Sequence, residues 1–238
     1  MKTNFSRHID FSSLYQVFVE NSNSNILKNM SGNDIVVDAG ANIGIFTLIA
    51  SQVVDRVVAV EPDPQNKKIL RENVGENGIE CVTQMEKTLY SSSGQKMRFW
   101  ENGVMSKFSE EGQVDVETET LDDIAQKLDL HPAAVKMDIE GAEKFALRGM
   151  DRSLETVRMV QEEVHDGESF KILGEKLQGF SISERNGKEM WSVFAYVLKH
   201  PIWTLRLDTQ NNFLTPILIL KNGERRQTAE FPKIVFGL

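Results

Sequence analysis

Acidic residues at the ends of apolar runs are the first indication of chemistry in this chain. Four of them each close such a run: Asp38, Glu61, Asp138 and Glu163. Continuous apolar runs of this kind predict strands that are covered on both faces of a parallel sheet. The carboxyl ends of parallel strands lie at one edge of the sheet, where open α/β sheets bind their ligands. The sequence therefore predicts a polar pocket with several carboxylates on one rim.

A glycine loop, residues 38–44, joins the first predicted strand to a helix. Gly40 permits a tight turn and a close backbone approach, and Gly44 permits a helix to pack closely on the sheet. The spacing is G-x-x-x-G, whereas the nicotinamide-binding fingerprint is G-x-G-x-x-G. The loop therefore favours a ligand without phosphates.

Glu61 follows the second predicted strand, one βα unit after the glycine loop. In dinucleotide-binding folds an acidic residue at this place accepts hydrogen bonds from the hydroxyls of a ribose. Because the glycine loop favours a ligand without phosphates, Glu61 indicates a ligand that contains adenosine but no diphosphate. The alternative is that Glu61 only caps the helix that Asp63 and Pro64 open.

The elements that position these residues follow from an alternation of short apolar runs and amphipathic stretches, which is typical of β-α-β units around a parallel sheet. Strands are predicted at residues 35–37, 56–60, 80–85, 133–137 and 157–164, and helices at 43–54, 64–74, 121–128, 142–147 and 170–177. Further strands at 96–100 and 114–118 lie in an insertion. Asn186-Gly187 predicts a hairpin between 180–183 and 191–197.

The chain divides into three predicted parts. Residues 1–30 form a helical arm, with helical spacing over 5–20 and a loop over 21–25; residues 31–200 form the α/β domain; and residues 201–238 form a β-rich extension with apolar runs at 203–207, 214–220 and 234–236. Exposed strand edges in this extension would favour pairing between chains, so a homo-oligomer is one expectation.

Composition narrows the function further. With 40% hydrophobic and 26% charged residues the chain is an ordinary globular protein, and its net charge of −8 argues against nucleic acid as a partner unless a local basic patch overrides it. The single Cys81 excludes an intrachain disulfide and indicates a reducing compartment. No apolar run is long enough to cross a membrane and no signal peptide is evident, so we expect a cytoplasmic location.

Four segments resemble a known family. They are VVDAGANIGIFTLIA, VVAVEPDPQNKKILREN, TETLDDI and VKMDIEGAEKFALRGM. They are similar to the FkbM-like family of S-adenosylmethionine-dependent methyltransferases, over residues 34–197, and the last two segments are the more specific. The resemblance implies a Rossmann-like class I methyltransferase fold, a mostly parallel sheet with helices on both faces, and S-adenosylmethionine as cofactor.

The resemblance also implies roles for particular residues. The glycine loop, with Asp38, Gly40, Asn42 and Gly44, would hold the methionine part of the cofactor. Glu61 would bind the ribose, and Pro62 and Asp63 would flank the adenosine. The adenine edge would be contacted by Glu86, Lys87 and Thr88. Asp138 would face the methyl group and the acceptor.

Methyl transfer from a sulfonium is an in-line displacement, so positioning alone can supply much of the acceleration. When the acceptor is a hydroxyl, a carboxylate or imidazole that takes its proton contributes ~10²–10⁴-fold. The candidates are Asp138, Glu140, Glu163 and His165. Asp138 could instead be a helix N-cap, with Glu140 and Glu143 in the first helical turn. A metal held by Asp138, Glu163 and His165 is a weaker hypothesis, and we predict no metal.

The function predicted from these residues is methylation of a hydroxyl on a small molecule or glycan acceptor. Methylation of nucleic-acid bases is disfavoured because Asp-Ile-Glu-Gly stands where an Asn-Pro-Pro-Tyr element would be expected. Two alternatives are a nucleotide-linked oxidoreductase, which needs the tighter glycine spacing, and a catalytically silent cofactor-binding or assembly module. The 96–118 insertion and the N-terminal arm are the expected places for acceptor recognition, since specificity usually lies in variable loops.

Overall fold

The computed structural model describes residues 24–100, 107–108, 114–139, 141–164, 167–178, 180–186, 191–196, 204–208, 213–219 and 225–227. Its strands are β1 (Ile35–Ala39), β2 (Arg56–Val60), β3 (Val82–Met85), β4 (Thr88–Leu89), β5 (Lys96–Trp100), β6 (Lys107–Phe108), β7 (Val114–Glu119), β8 (Ala134–Met137), β9 (Met159–Val164), β10 (Ser181–Asn186), β11 (Trp191–Tyr196), β12 (Thr204–Asp208), β13 (Phe213–Ile219) and β14 (Arg225–Gln227). Its helices are α1 (Ser24–Lys28), α2 (Ile45–Ala50), α3 (Pro64–Glu76), α4 (Leu121–Leu128), α5 (Glu143–Arg148) and α6 (Gly167–Lys176), with a 3₁₀ turn at Ser153–Glu155.

A seven-stranded sheet with the order β10-β11-β9-β8-β1-β2-β3 forms the centre of the fold. The five strands from β9 to β3 are parallel, and β11 runs antiparallel to β9. From β1 the chain builds outward through β2 and β3, then returns to place β8 on the other side of β1. This reversal of strand order is the topological switch point at which ligands bind in such sheets. The predicted parallel sheet is confirmed.

The sheet is buried on both faces because its central strands are mostly apolar, with Asp38 and Lys136 as charged residues near the ends of β1 and β8. One face carries Val37, Val58 and Val135 and packs against α4, α5 and α6, while the other carries Val36, Val57 and Ala134 and packs against α1 and α2. Removing each such side chain from water contributes about 1.5–3 kcal/mol. The helices therefore cover both faces, as predicted.

Two predictions differ markedly from the observed helices, whereas α3, α5 and α6 differ from their predicted bounds by at most three residues. The predicted loop over residues 21–25 is wrong at its end, because α1 begins at Ser24; Ile26 and Met30 lie four residues apart and are both buried against the sheet. The predicted helix over 43–54 is too long, since α2 starts only after Gly44, whose φ of 90° is left-handed, and ends at Ala50. The predicted helical arm over residues 5–20 lies outside the described residues.

Two small sheets accompany the main one. The insertion forms a four-stranded sheet in the order β4-β7-β5-β6, in which the two-residue strands β4 and β6 are too short to leave a pattern in the sequence. Strands β12, β13 and β14 form an antiparallel sheet in the predicted β-rich extension. The apolar run at 234–236 lies outside the described residues, and the three-part division of the chain stays a prediction.

The hairpin predicted around Asn186-Gly187 is confirmed, since β10 and β11 pair antiparallel with Asn186 opposite Trp191. In the part of the chain that the structure describes, no helix is both long enough and apolar enough to cross a bilayer.

Candidate active site

The switch point lies where β1 and β8 end side by side, and the glycine loop makes its closest approach there. Gly40 has a φ of +72°, and its N–H donates to the carbonyl of Val60 at 2.9 Å. A Cβ at this position would lie 1.9 Å from the carbonyl oxygen of Asp138, the residue that follows β8. Only glycine fits between these two backbones, so the tips of β1 and β8 are in direct contact.

Gly44 serves a second close approach. Its φ is +90°, and an added Cβ would lie 2.3 Å from Cδ1 of Leu70. Leu70 belongs to α3, so this glycine permits close contact with a neighbouring helix, whereas the sequence predicted that it permits close contact with the sheet. Asn42, between the two glycines, is also left-handed with a φ of 52°, and its side-chain Oδ1 accepts the N–H of Ile43 at 2.8 Å.

Glu61 links the glycine loop to the tip of β2. Its Oε2 accepts the backbone N–H of Asn42 at 2.7 Å, and its Oε1 accepts the N–H of Asp63 at 2.9 Å. The residue is only 4% exposed. Burial raises the pKa of the Glu61 carboxyl to about 7, against the lowering effect of the two N–H donors and of the Lys136 charge. The carboxyl therefore titrates near neutral pH.

The helix that follows is capped by Asp63 and not by Glu61. Oδ1 of Asp63 accepts the N–H groups of Gln65 and Asn66 at 2.8 and 3.0 Å. This geometry excludes the interpretation of Glu61 as a simple helix cap. It also means that the buried Asp63 carboxylate, predicted to flank the adenosine, is occupied by the helix end.

Lys136 is a site residue that the sequence did not reveal. It lies in β8 opposite Asp38 of β1 and is almost completely buried. Its ammonium lies 3.0 Å from the carbonyl oxygen of Gly40, 3.4 Å from Asp38 Oδ1 and 3.6 Å from Asp138 Oδ2. The only signal in the sequence is a lysine inside the apolar run Ala-Ala-Val-Lys-Met.

Asp38 itself is fully buried and turned away from the rim. Its Oδ2 accepts the hydroxyl of Thr47 in α2 at 2.5 Å, and its Oδ1 faces Lys136. Among the described residues Oδ1 has this ion pair but no hydrogen bond, so only Oδ2 of the carboxylate has a hydrogen-bond partner.

Asp138 is the carboxylate that faces outward. Its side chain is 26% exposed, and its N–H donates to the carbonyl of Ala39 at 3.1 Å. The alternative that Asp138 is an N-cap is wrong, because α5 begins five residues later, with Ala142 at its N-cap position. Oε1 of Glu143 accepts the N–H of Gly141 at 3.0 Å and holds the turn between Asp138 and α5.

The three residues predicted at the adenine edge contact different parts of the protein. Glu86 forms ion pairs with Lys67 and Arg71 of α3. Lys87 lies 2.6 Å from Glu117 in β7, and Thr88 is buried in β4. Their role toward adenine stays a prediction.

The structure does not describe the side chains of the remaining catalytic candidates. Glu140 and His165 lie outside the described residues. Glu163 is described only through its backbone, which pairs with Ser192 of β11. In the part of the chain that is described, no three His, Cys, Asp or Glu side chains are arranged to hold a metal ion.

The TETLDDI segment stabilises the base of the insertion. The Thr118 hydroxyl donates to the carbonyl of Ser92 at 2.7 Å, and the N–H of Thr120 donates to the hydroxyl of Ser93 at 2.9 Å. Oδ1 of Asp122 accepts both the N–H and the hydroxyl of Ser153 at 2.7 Å. These contacts fix α4 to the β4–β5 turn and to the 3₁₀ turn, so they explain this segment structurally.

Comparison with known proteins decides the family. A model described as the methyltransferase FkbM domain matches residues 38–192, more than half of the chain. The chain belongs to the FkbM methyltransferase family. The match begins at Asp38 in β1 and ends at Ser192 in β11, so it includes the glycine loop, Glu61, Lys136 and Asp138. The family is a methyltransferase family, which in general implies the use of S-adenosylmethionine.

Two curated relatives are methyltransferases. Hexuronic acid methyltransferase AglP of Haloferax volcanii is 31% identical, with coverage of 69% of this chain and 71% of AglP. Methyltransferase sdnD of Sordaria araneosa is 27% identical, with coverage of 66% of this chain and 77% of its own. An FkbM enzyme is thus supported over the nucleotide-linked oxidoreductase and the silent module.

Solved structures share the fold. The crystal structure of methyltransferase FkbM from Methylobacillus flagellatus matches 71% of this chain with a TM-score of 0.54 at 22% identity, and this chain spans 44% of that one. A structure from Streptococcus mutans, solved in complex with SAH, matches 76% of this chain and 97% of its own, with a TM-score of 0.50 at 14% identity. At these identities the similarity shows the fold alone.

Proposed function

We propose that this protein transfers a methyl group from S-adenosylmethionine to a hydroxyl of a sugar-like small molecule or glycan. The observation that carries the proposal is the buried Glu61 carboxyl at the tip of β2, bonded to the glycine loop and one strand away from the switch point. The acceptor class follows AglP, which is named as a hexuronic acid methyltransferase.

The described residues fit the adenosine of this cofactor. Each Glu61 oxygen accepts one backbone N–H and keeps a lone pair that can accept a ribose hydroxyl. Gly40 and Asn42 have left-handed backbone, and the missing Cβ of Gly40 lets the loop lie directly against the backbone of Asp138. When bound, the cofactor supplies an electrophilic methyl group on its sulfonium. Asp38 lies buried at the start of the loop, with Oδ2 bonded to Thr47 and Oδ1 beside Lys136, and we expect it to shape the loop.

Asp138 is our first candidate for the acceptor side. It lies at the tip of β8, its side chain is partly exposed, and it is in contact with the backbone of the glycine loop. With the cofactor bound, the Asp138 carboxylate would take the proton of the acceptor hydroxyl as that oxygen receives the methyl group. Glu140, Glu163 and His165 are further candidates for the same proton.

The first test is calorimetric titration with S-adenosylhomocysteine and with NAD. We expect only the former to bind, and binding of NAD alone would end the proposal. The second is a screen of hexuronic acids, their glycosides and neutral sugars for a cofactor-dependent mass gain of one methyl group. A product stable to mild alkali would indicate a methyl ether on a hydroxyl, whereas an alkali-labile product would place the methyl on the carboxylate as an ester.

Asp138→Asn tests the acceptor role. We expect turnover to fall by ~10²-fold or more while the dissociation constant of S-adenosylhomocysteine stays within about twofold. The matched control is Asp129→Asn, at an exposed position of left-handed backbone after α4 that asparagine tolerates well. Normal methyl transfer by Asp138→Asn would show that Asp138 has no part in the proton transfer.

A further inference from the structure

Lys136 links the end of β1 and its glycine loop to the end of β8 at the switch point. Its ammonium lies among the carbonyl of Gly40 in the glycine loop, the carboxylate of Asp38 in β1 and the carboxylate of Asp138 beyond β8. An ammonium has three N–H donors, and these three oxygens lie within 3.6 Å of it. The lysine is therefore placed to fix the relative positions of the loop and the two strand tips.

Its burial calls for an explanation beyond charge pairing. A buried ion pair contributes little net stability compared with well-packed apolar residues, because both charges lose their hydration. Asp38 would suffice as counterion for Lys136, and Asp38 is fully buried with a second bond to Thr47. Yet the shortest of the three contacts of the ammonium is the one to the Gly40 carbonyl. A counterion role does not account for that contact.

The Gly40 peptide groups are held from two sides. The N–H of Gly40 is bonded to Val60 of β2, and its carbonyl is bonded to Lys136 of β8. The other half of the crevice has separate supports, because Glu61 is held by the N–H groups of Asn42 and Asp63. Losing the lysine would therefore release the loop around Gly40 while leaving the hydrogen bonds of Glu61 in place.

We propose that Lys136 is a positioning residue that sets the shape of the methionine-binding half of the cofactor site. This inference rests on the proposed use of S-adenosylmethionine. It predicts that the lysine acts on ligands that carry the amino-acid portion and has little effect on ligands that consist of the adenosine portion alone.

The test compares two probes, S-adenosylhomocysteine and 5′-methylthioadenosine, which lacks the amino-acid portion. Affinities are measured by calorimetry at pH 8.5, where Glu61 is ionised, because removing the Lys136 charge would raise the pKa of Glu61. The variant is Lys136→Met, which keeps a similar apolar stem. The matched control is Lys171→Met, at a lysine of α6 whose side chain is 77% exposed.

We expect Lys136→Met to bind S-adenosylhomocysteine about tenfold or more weakly, the loss of a hydrogen bond to a charged group, and to bind methylthioadenosine within about threefold of the wild type. The retained binding of methylthioadenosine also shows that the variant is folded. The control should bind both compounds normally.

If Lys136→Met does not fold because Asp38 is left as an unpaired buried charge, the double variant Lys136→Met/Asp38→Asn removes both charges, with Asp38→Asn alone as its reference. The double variant should show the same split between the two probes. Normal affinity for S-adenosylhomocysteine, or an equal loss for both probes, would overturn the role of Lys136 alone. Wild-type protein that binds neither probe would overturn the proposed function together with this inference.

Discussion

The raised pKa of Glu61 makes cofactor affinity depend on pH. The carboxyl, with a pKa of about 7, is buried and accepts two backbone N–H groups. Ribose hydroxyls would donate to its ionised form, so ligand binding favours loss of the proton. At pH 8 about nine in ten carboxyls are ionised and at pH 5 about one in a hundred, and affinity should therefore fall by up to about 100-fold between these values, or roughly 3 kcal/mol.

The assay is calorimetric titration with S-adenosylhomocysteine from pH 5 to pH 8 at constant ionic strength. Glu61→Gln, a neutral isostere, should bind about 1–3 kcal/mol more weakly than the wild type at pH 8 and show no pH dependence over this range. Glu175→Gln, at an exposed residue of α6, should retain the wild-type profile. A flat wild-type profile, or the same slope in Glu61→Gln, would refute the placement of ribose on Glu61.

The same pKa affects the stability of the cofactor-free protein. The carboxyl has a pKa of 4.5 as its ordinary value and about 7 in the folded state, so the folded state binds the proton more tightly. Its contribution to stability is present at pH values below 4.5 and is lost as the pH rises through about 7. The melting temperature of the wild type should therefore fall relative to that of Glu61→Gln between pH 5 and pH 8, and a constant difference would contradict the shift.

Two further predictions concern folding. Gly40→Ala should destabilise the protein by several kcal/mol in urea unfolding, because its Cβ would collide with the Asp138 carbonyl, whereas Gly75→Ala, at a helical position with nothing within 4 Å, should be neutral or stabilising by up to about 1 kcal/mol. Asp122→Ala should cost about 1–3 kcal/mol, since it leaves the N–H of Ser153 without its acceptor, and should leave the affinity for S-adenosylhomocysteine unchanged. A stable Gly40→Ala or an Asp122→Ala variant with impaired ligand binding would contradict these assignments.

Local signals in the sequence were sufficient for much of the fold. The strand at 56–60 and the helix at 121–128 have their predicted bounds, because Val57, Val58 and Val60 favour the first and, in the structure, Thr120 caps the second. The glycine loop was also evident, since its spacing is short range. The resemblance to a known family then predicted the identity of the cofactor, which composition and periodicity alone do not specify.

The parts that the sequence did not predict depend on contacts between distant residues. The sequence did not predict Lys136 as a site residue, because its place in the site depends on its register beside Asp38. Asp38 lies almost a hundred positions earlier in the chain, and the neighbours of Lys136 in β8 give no such signal. The ion pairs of Glu86 and Lys87 with α3 and β7 are likewise long range. Helix α1 begins in a polar run whose composition favours a loop, and only burial of Ile26 under the sheet explains it.

The hydrogen bonds at the base of the insertion allow its sequence to vary. Thr118 and Thr120 form hydrogen bonds with Ser92 and Ser93. The two ends of the insertion are therefore held together where the polypeptide leaves and re-enters the α/β domain. Substitutions between these two attachment points should therefore leave Glu61 and its hydrogen bonds unchanged. If the insertion recognises the acceptor, as the sequence predicts, variants within residues 96–117 should alter acceptor preference while keeping the affinity for S-adenosylhomocysteine.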